Sequence, residues 1–327
     1  MKIEYISQTV LRRSILKPLQ TRRKEALFLP SEAEMCSAFQ IETTNPIVFT
    51  NASVSGNAKE IGIYAIAKAV NNLATRGADA IGVSVQITLP PHAYESRLKA
   101  MVEHMEELCE KLDIQITCAE AEVSPAVSQA IVYVTAMGQV TENVQQARNA
   151  KPDQDIVLAG YIGLEGMLRV TAEKEEELKE RFVGTFIRQI KECKSELLAV
   201  EAIKIARETC VDAMQQIGKG GILGTLWEVC EAANLGLSVS LPAMTIKQET
   251  IEVCEFYHLN PYQITSTGAV LMFTEDGKEL VRRMEERGVR AAIIGRTTSG
   301  KERTITGGAE IRYMDRPGPD ELNTIWK

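Results

Sequence analysis

The sequence predicts a two-domain chain of α/β plus α+β type, residues 1–150 and 151–327. Three observations carry this. At 327 residues the chain is about twice the length of a common domain. Short apolar, β-branched runs alternate with amphipathic helical segments in both halves. Between the halves polarity rises over 141–155, TENVQQARNAKPDQD, a composition that suits a boundary.

The elements follow in order. The basic stretch from Arg12 to Lys24 reads as a surface helix and loop. A strand is expected over 47–50, after Pro46. Residues 62–74 read as a helix, with Ile63, Ile66, Ala67, Val70 and Leu73 on one face. A Gly77-Ala78 turn leads to a buried strand over 80–89. Residues 95–112 place Leu98, Met101, Met105, Leu108 and Leu112 on one helical stripe. Strands are expected over 114–118 and 130–140, the latter AIVYVTAMGQV.

The second half opens with a strand over 156–159 and a glycine turn over 160–166, GYIGLEG. Helices are expected over 173–194 and 197–216. The EKEEELKER stretch forms a solvated face of the first. Gly218, Gly220 and Gly221 open a further helix, which Gly236 would end. Trp227 within it reads as packing. Strand 237–241, helix 247–257, strand 269–273, helix 277–287 and strand 291–295 complete the unit.

Composition narrows the function classes. Lys and Arg total 37 against 44 Asp and Glu, a net charge of −7. This balance argues against nucleic-acid and anionic-membrane partners. The seven cysteines form no CxxC pair, as expected of reduced thiols in a cytoplasmic protein. His92, His104 and His258 lie at no ligand spacing from a cysteine, so a zinc site is not expected. The first residues lack the apolar core of a signal peptide, and no apolar run is long enough to span a bilayer.

Several segments, read together, resemble one family. VNNLATRGADAIGVSVQITLP is similar to the "ND-(I/L)-A-x-x-G-A-x-P" element of the AIR-synthase (PurM-like) superfamily. AEAEVSPAVSQAIVYVTAMG at 119–138 is similar to "GGHTEVTPGV…IVSVTAIG". AGYIGLEGM, MQQIGKGGILGTLWEVCEAANLGLSV, VCEFYHLNPYQITSTGAVLM and AAIIGRTT resemble later elements in matching order. The subgroup most resembled is the hydrogenase-maturation, HypE-type proteins. The resemblance implies a PurM-like fold in two domains. It also implies a homodimer whose N-terminal strands build a shared barrel, with an ATP site at that interface.

The family's acidic positions carry other residues here. The first family Asp falls on Met35, the second on Asn51, and the "ND" Asp on Asn72. The "GGHTE" Glu is kept as Glu122, without the paired glycines. The "HDPTEGG" element becomes Gln215-Gln216-Ile217-Gly218-Lys219-Gly220-Gly221. Mg²⁺ prefers carboxylate and phosphate oxygens, and opposed charges a few Å apart are worth about 1–4 kcal/mol each. Loss of these acids and gain of a lysine therefore predict a degenerate Mg-ATP site, with no metal and with ATP possible only without Mg²⁺. The chain ends Asn323-Thr324-Ile325-Trp326-Lys327, without the C-terminal Cys that carries the modified group in HypE-type proteins.

The candidate cofactor-binding residues are Asn51, Asn72, Glu122, Lys219, Gly220 and Gly221; no catalytic residue is assigned. Asn51 and Asn72 read either as hydrogen-bonded relics or as ligand-contacting amides. Lys219 is either a surface lysine at a glycine-rich helix entry or a replacement for the metal's charge beside an anion. Its GKGG sequence lacks the Ser or Thr of a Walker A loop. Three functions stay open. They are a non-catalytic or altered-ligand homodimer that regulates or pairs with an active paralogue, a metal-independent binder of a small anion, and an ATP-dependent dehydratase or ligase using Glu34, Glu120 and Glu122.

Overall fold

The computed structural model describes residues 8–26, 45–141, 145–308 and 310–325. Glu34 and Met35 lie outside the described residues. The chain divides into two compact units, one taking residues up to Leu73 and from Ala78 to 141, the other Ala74–Gly77 and 145 onwards.

In the first unit α1 (Gln8–Leu11) runs into a π-helical turn, Arg12–Leu16, that buries Ser14 and Ile15. Then come β1 (Ile47–Gly56), α2 (Ile61–Ala74), β2 (Ala78–Leu89), α3 (Glu95–Leu112), β3 (Gln115–Val123) and β4 (Ala130–Val140). The sheet order is β1-β4-β2-β3. β4 runs antiparallel to β1 and β2, and β3 lies parallel to β2, as the helical crossover through α3 requires. Strand alternation buries Ala52, Val54, Val83, Val85, Ile87, Val132 and Val134 on one face. α2 covers that face closely: a methyl group added at Gly138 would stand 3.1 Å from Leu73 Cδ1. One added at Gly62 would stand 2.4 Å from Met105 of α3, so a glycine lets the two helices touch. Buried Glu106 of α3 accepts from the Gln20 amide at 2.7 Å and from the Thr21 amide, tying down the N-terminal segment.

The opposite face is polar and open, with Phe49 64% and Tyr133 45% exposed. β1 and β3 are the two edges of this sheet. Within one chain it is therefore not a closed barrel.

The second unit comprises β5 (Asp155–Ala159), α4 (Leu164–Glu173), α5 (Glu175–Arg181), α6 (Gly184–Glu192), α7 (Val200–Arg207), β6 (Val211–Gln216), α8 (Gly221–Ala233), β7 (Gly236–Ser240), α9 (Gln248–Phe256), β8 (Val270–Thr274), α10 (Gly277–Glu286), β9 (Ala291–Thr298), β10 (Arg303–Gly307) and β11 (Glu310–Tyr313). Its sheet has the order β11-β10-β7-β9-β5-β8-β6. Both faces are covered. Ile156, Leu158, Leu271 and Phe273 pack with Ile222, Leu226 and Val229 of α8. Val157, Ala159, Val270 and Met272 pack with Ile203 of α7 and Leu280 and Met284 of α10. Double burial explains why these strands read as unbroken apolar runs.

Four expected elements differ. The 197–216 helix ends at Arg207, and Val211–Gln216 is a strand paired with β8; tertiary pairing overrides the local helical pattern. The 173–194 helix is three pieces, with breaks at Lys174 and at Phe182-Val183, where the backbone is extended. The glycine turn is shorter than expected. Gly163, at φ +72°, caps α4, which starts at Leu164. β10 and β11 were not foreseen. α8 ends at Asn234, in the left-handed conformation at φ +58°, before Gly236 is reached; Asn is the usual substitute for Gly there.

Candidate functional site

Asn51 and Asn72 belong to the first unit but do not share a partner. Asn51 sits on β1, on the open face, and its Oδ1 accepts from Thr135 Oγ1 at 2.7 Å. Asn72 sits half-buried on α2 and its Nδ2 donates to Thr50 Oγ1 at 3.4 Å. Successive strand residues point to opposite faces, so Thr50 and Asn51 face apart. Glu122 is on the open face too, where its Oε1 accepts from Thr88 Oγ1 at 3.0 Å. Its row pairs Glu122 with Thr88, whereas Asn51 pairs with Thr135. Asn51 and Glu122 lie on opposite edge strands and several rows apart, which strand rise and spacing put at roughly 20 Å.

In the second unit, the ends of β5, β6 and β8 carry three loops to one edge of the sheet. Gly218, Lys219 and Gly220 lead into α8. Gly220, at φ +78°, and Gly221, at φ +66°, take left-handed backbone that glycine adopts freely. Lys219 is exposed. Two of the amide donors at this helix entry are already used. The Gly220 amide donates to Asp320 Oδ2 at 2.9 Å, and the Gly221 amide to the Gly218 carbonyl at 3.2 Å. Asp320 Oδ1 also accepts from the Leu322 amide at 3.0 Å. A carboxylate of the chain's own C-terminal segment thus caps α8. Gln215 accepts from Arg76, a guanidinium whose pKa burial lowers.

Burial raises the Asp320 pKa, outweighing its two amide bonds. A carboxyl raised on folding gives stability below its unfolded pKa, about 3.9, that is lost as pH rises through the folded value. Asp320→Asn keeps an acceptor without the charge. Its stability relative to the parent is expected to improve from pH 4 to pH 7, whereas Asp320→Ala costs about 1 kcal/mol of capping. Urea unfolding at the two pH values measures both; an Asn variant that loses ground at pH 7 would contradict this.

Beside this cap lies the most buried acid of the unit. Glu165, in the first turn of α4, is 0% exposed. Its Oε2 accepts from Thr265 Oγ1 at 2.7 Å and Thr267 Oγ1 at 2.6 Å. Its Oε1 pairs with Arg169 one turn on, at 3.3 Å. Ser266 Oγ, between the two threonines, accepts from the Gly163 amide at 2.7 Å. Sequence reading passed over Glu165 as part of a turn. The available signal was a lone acid inside the apolar run Ile162 to Leu168, but its Thr-Ser-Thr partners lie 100 residues away. Trp227 does pack against the core, and Arg303 stacks over its ring at 4.1 Å.

Among the described residues no three His, Cys, Asp or Glu side chains gather as a metal site, and no helix is long and apolar enough to cross a membrane.

Comparison with known proteins adds the family. Residues 24–140 match the N-terminal domain, and 151–308 the C-terminal domain, of AIR synthase related proteins. A Methanocaldococcus jannaschii protein named for hydrogenase expression and formation is 25% identical over 293 residues, 86% of this chain and 82% of that one. The carbamoyl dehydratase HypE of Rhodobacter capsulatus is 23% identical, covering 83% of this chain and 81% of its own. Among solved structures, Escherichia coli HypE superposes with a TM-score of 0.77 at 19% identity, over 98% of this chain and 100% of that one. Thiamine-monophosphate kinase of Stenotrophomonas maltophilia gives 0.68 at 18%, over 88% and 93%. One fold thus carries a dehydratase and a kinase, and it does not by itself choose a reaction. From both halves of its sequence and from its backbone, the chain belongs to the AIR synthase related family, with HypE proteins among its relatives.

Proposed function

We propose that this chain is a HypE-like protein whose Mg-ATP site has lost its metal-holding acids. It acts in the cytoplasm as a non-catalytic or altered-ligand homodimer, alone or with an active paralogue. The observation that carries this reading is the use made of the two asparagines at acid positions: their amides bond to Thr135 and Thr50. Gln215 is likewise engaged with Arg76. Neutral carbonyls and one lysine do not fit Mg²⁺, which relies on one or two carboxylates beside the phosphates. Isothermal titration with ATP, with and without Mg²⁺, is expected to give no Mg²⁺-dependent binding. ATP turnover that EDTA abolishes would overturn the reading.

The open face of the four-stranded sheet supports the homodimer. Two such faces, apposed, would bury Phe49 and Tyr133 and form the shared barrel. Tyr133→Arg is expected to convert a dimer to a monomer by sedimentation velocity; a monomeric parent would end this part of the reading. An enzymatic alternative draws on Glu120 and Glu122 of β3, which share one face, with Thr88 holding Glu122. It requires ATP-dependent turnover that Glu122→Gln removes. A metal-free anion binder is the other alternative, favoured by the exposed Lys219, and it predicts phosphate binding that Lys219→Ala weakens.

A further inference from the structure

A cavity of about 260 Å³ lies in the second unit, away from the Glu165 cluster's own hydrogen bonds. Its walls are the first turn of α8, the 260–263 turn, and the strand-to-tail segment 312–319. Two guanidiniums line it, Arg312 on β11 and Arg316 four residues on. Elsewhere on this unit about half of the basic side chains, among them Lys151, Lys174, Lys179, Lys191, Lys247, Arg282, Arg287 and Arg303, have a carboxylate within ion-pair distance. Arg312 and Arg316 have none among the described residues. Asp315 also lines the cavity, leaving its walls one positive charge in excess. Asn260 and Gln263 add amide groups at the opposite wall, themselves linked at 3.2 Å.

Small residues keep the cavity open. A methyl group added at Gly224 would meet only the Lys219 carbonyl at 3.4 Å and Pro317 Cβ at 4.0 Å. Pro317 and Pro319 stiffen the far wall through their fixed φ. Asp320, just beyond, fastens that wall to α8 through the Gly220 amide.

Guanidinium groups present planar, paired donors matched to carboxylate and phosphate oxygens. A cavity of this size is below that of a drug-sized site and suits a small metabolite. We propose that this cavity binds a small oxyanion-bearing molecule, a carboxylate or a phosphate, through Arg312 and Arg316. The site adjoins the α8 entry, since Gly220 lines both, but it holds the anion through Arg312 and Arg316 rather than Lys219 and does not depend on whether the first unit takes a nucleotide.

The test is titration calorimetry of the full chain at low ionic strength, with inorganic phosphate in one arm and succinate in the other. Saturable binding is expected in at least one arm, and the stronger arm identifies the oxyanion. Arg312→Gln with Arg316→Gln should weaken it at least tenfold, while Lys219→Ala should leave it within twofold. Both arginines are exposed, so the double variant should fold; its thermal midpoint without ligand confirms that. No saturable binding in either arm, or binding unchanged in the double variant, overturns the proposal. Loss in Lys219→Ala alone also overturns it, and places the anion at the α8 entry instead.

Discussion

Glu165→Ala is expected to destabilise the second unit by about 3–5 kcal/mol, because breaking a buried pair strands its partner charge. Glu165 has no exposed surface, and Arg169 is only 11% exposed. Truncation removes the Arg169 counter-charge and leaves Thr265 Oγ1 and Thr267 Oγ1 without the carboxylate that accepts from them. Glu165→Gln keeps one acceptor oxygen for the two threonines but sets an amide NH2 against the Arg169 guanidinium, so it should cost less than the alanine variant and more than a surface change. Arg169→Met combined with Glu165→Gln should cost less than the two singles added, since contacting residues couple. Urea-unfolding midpoints of the parent, the three single variants and the double variant check this. An alanine variant within about 0.5 kcal/mol of the parent, the range of surface substitutions, would show that the cluster does not hold the loops together. The network's chemistry is that of a brace between α4 and the 265–267 loop.

Gly221→Ala is the second large effect, expected at about 3 kcal/mol or more. Two costs add. The residue sits at φ +66°, which costs a residue with a Cβ about 1–2 kcal/mol. Its new methyl would also fall 2.4 Å from the Tyr262 carbonyl oxygen and 2.8 Å from Gln263 Cα, and overpacking of this kind costs about 1–3 kcal/mol. Both obstacles are backbone, so no side chain can swing away. Two controls separate the terms. Gly288, at φ +72° with nothing within 4 Å of an added methyl, carries the conformational cost alone. Gly218 has open space and no left-handed backbone, so it should be close to neutral. Thermal midpoints should fall in the order Gly218, Gly288, Gly221. Equal losses at Gly288 and Gly221 would mean that the close approach to the 262–264 backbone is unimportant.

The candidate site was partly legible. Asn51, Asn72, Glu122 and the Lys219-Gly220-Gly221 entry could be marked by resemblance, because a replaced acid shows in sequence. What each replacement touches could not. Thr50 and Asn51 are neighbours in sequence, yet strand alternation gives them opposite faces, so the two asparagines find different threonines. Asp320 was invisible as a cap: it lies 100 residues from Gly220, and a lone Asp after Pro-Gly-Pro has no pattern of its own. Arg312 and Arg316 gained meaning only when β11 was laid beside β10 and the tail turned back over α8.

By itself the sequence pointed to the family through motif resemblance, and to the two-part organisation and most helices and strands because apolar periodicity and glycine-rich turns are local properties. It misassigned Val211–Gln216, where helical spacing was outvoted by pairing with β8, and it broke the 173–194 segment too few times. Tertiary structure alone decided which polar groups are spent on one another. Buried carboxylates and amides must find partners wherever the fold brings them, and those partners, from Thr265 and Thr267 for Glu165 to Gly220 for Asp320, are separated by about a hundred residues of chain.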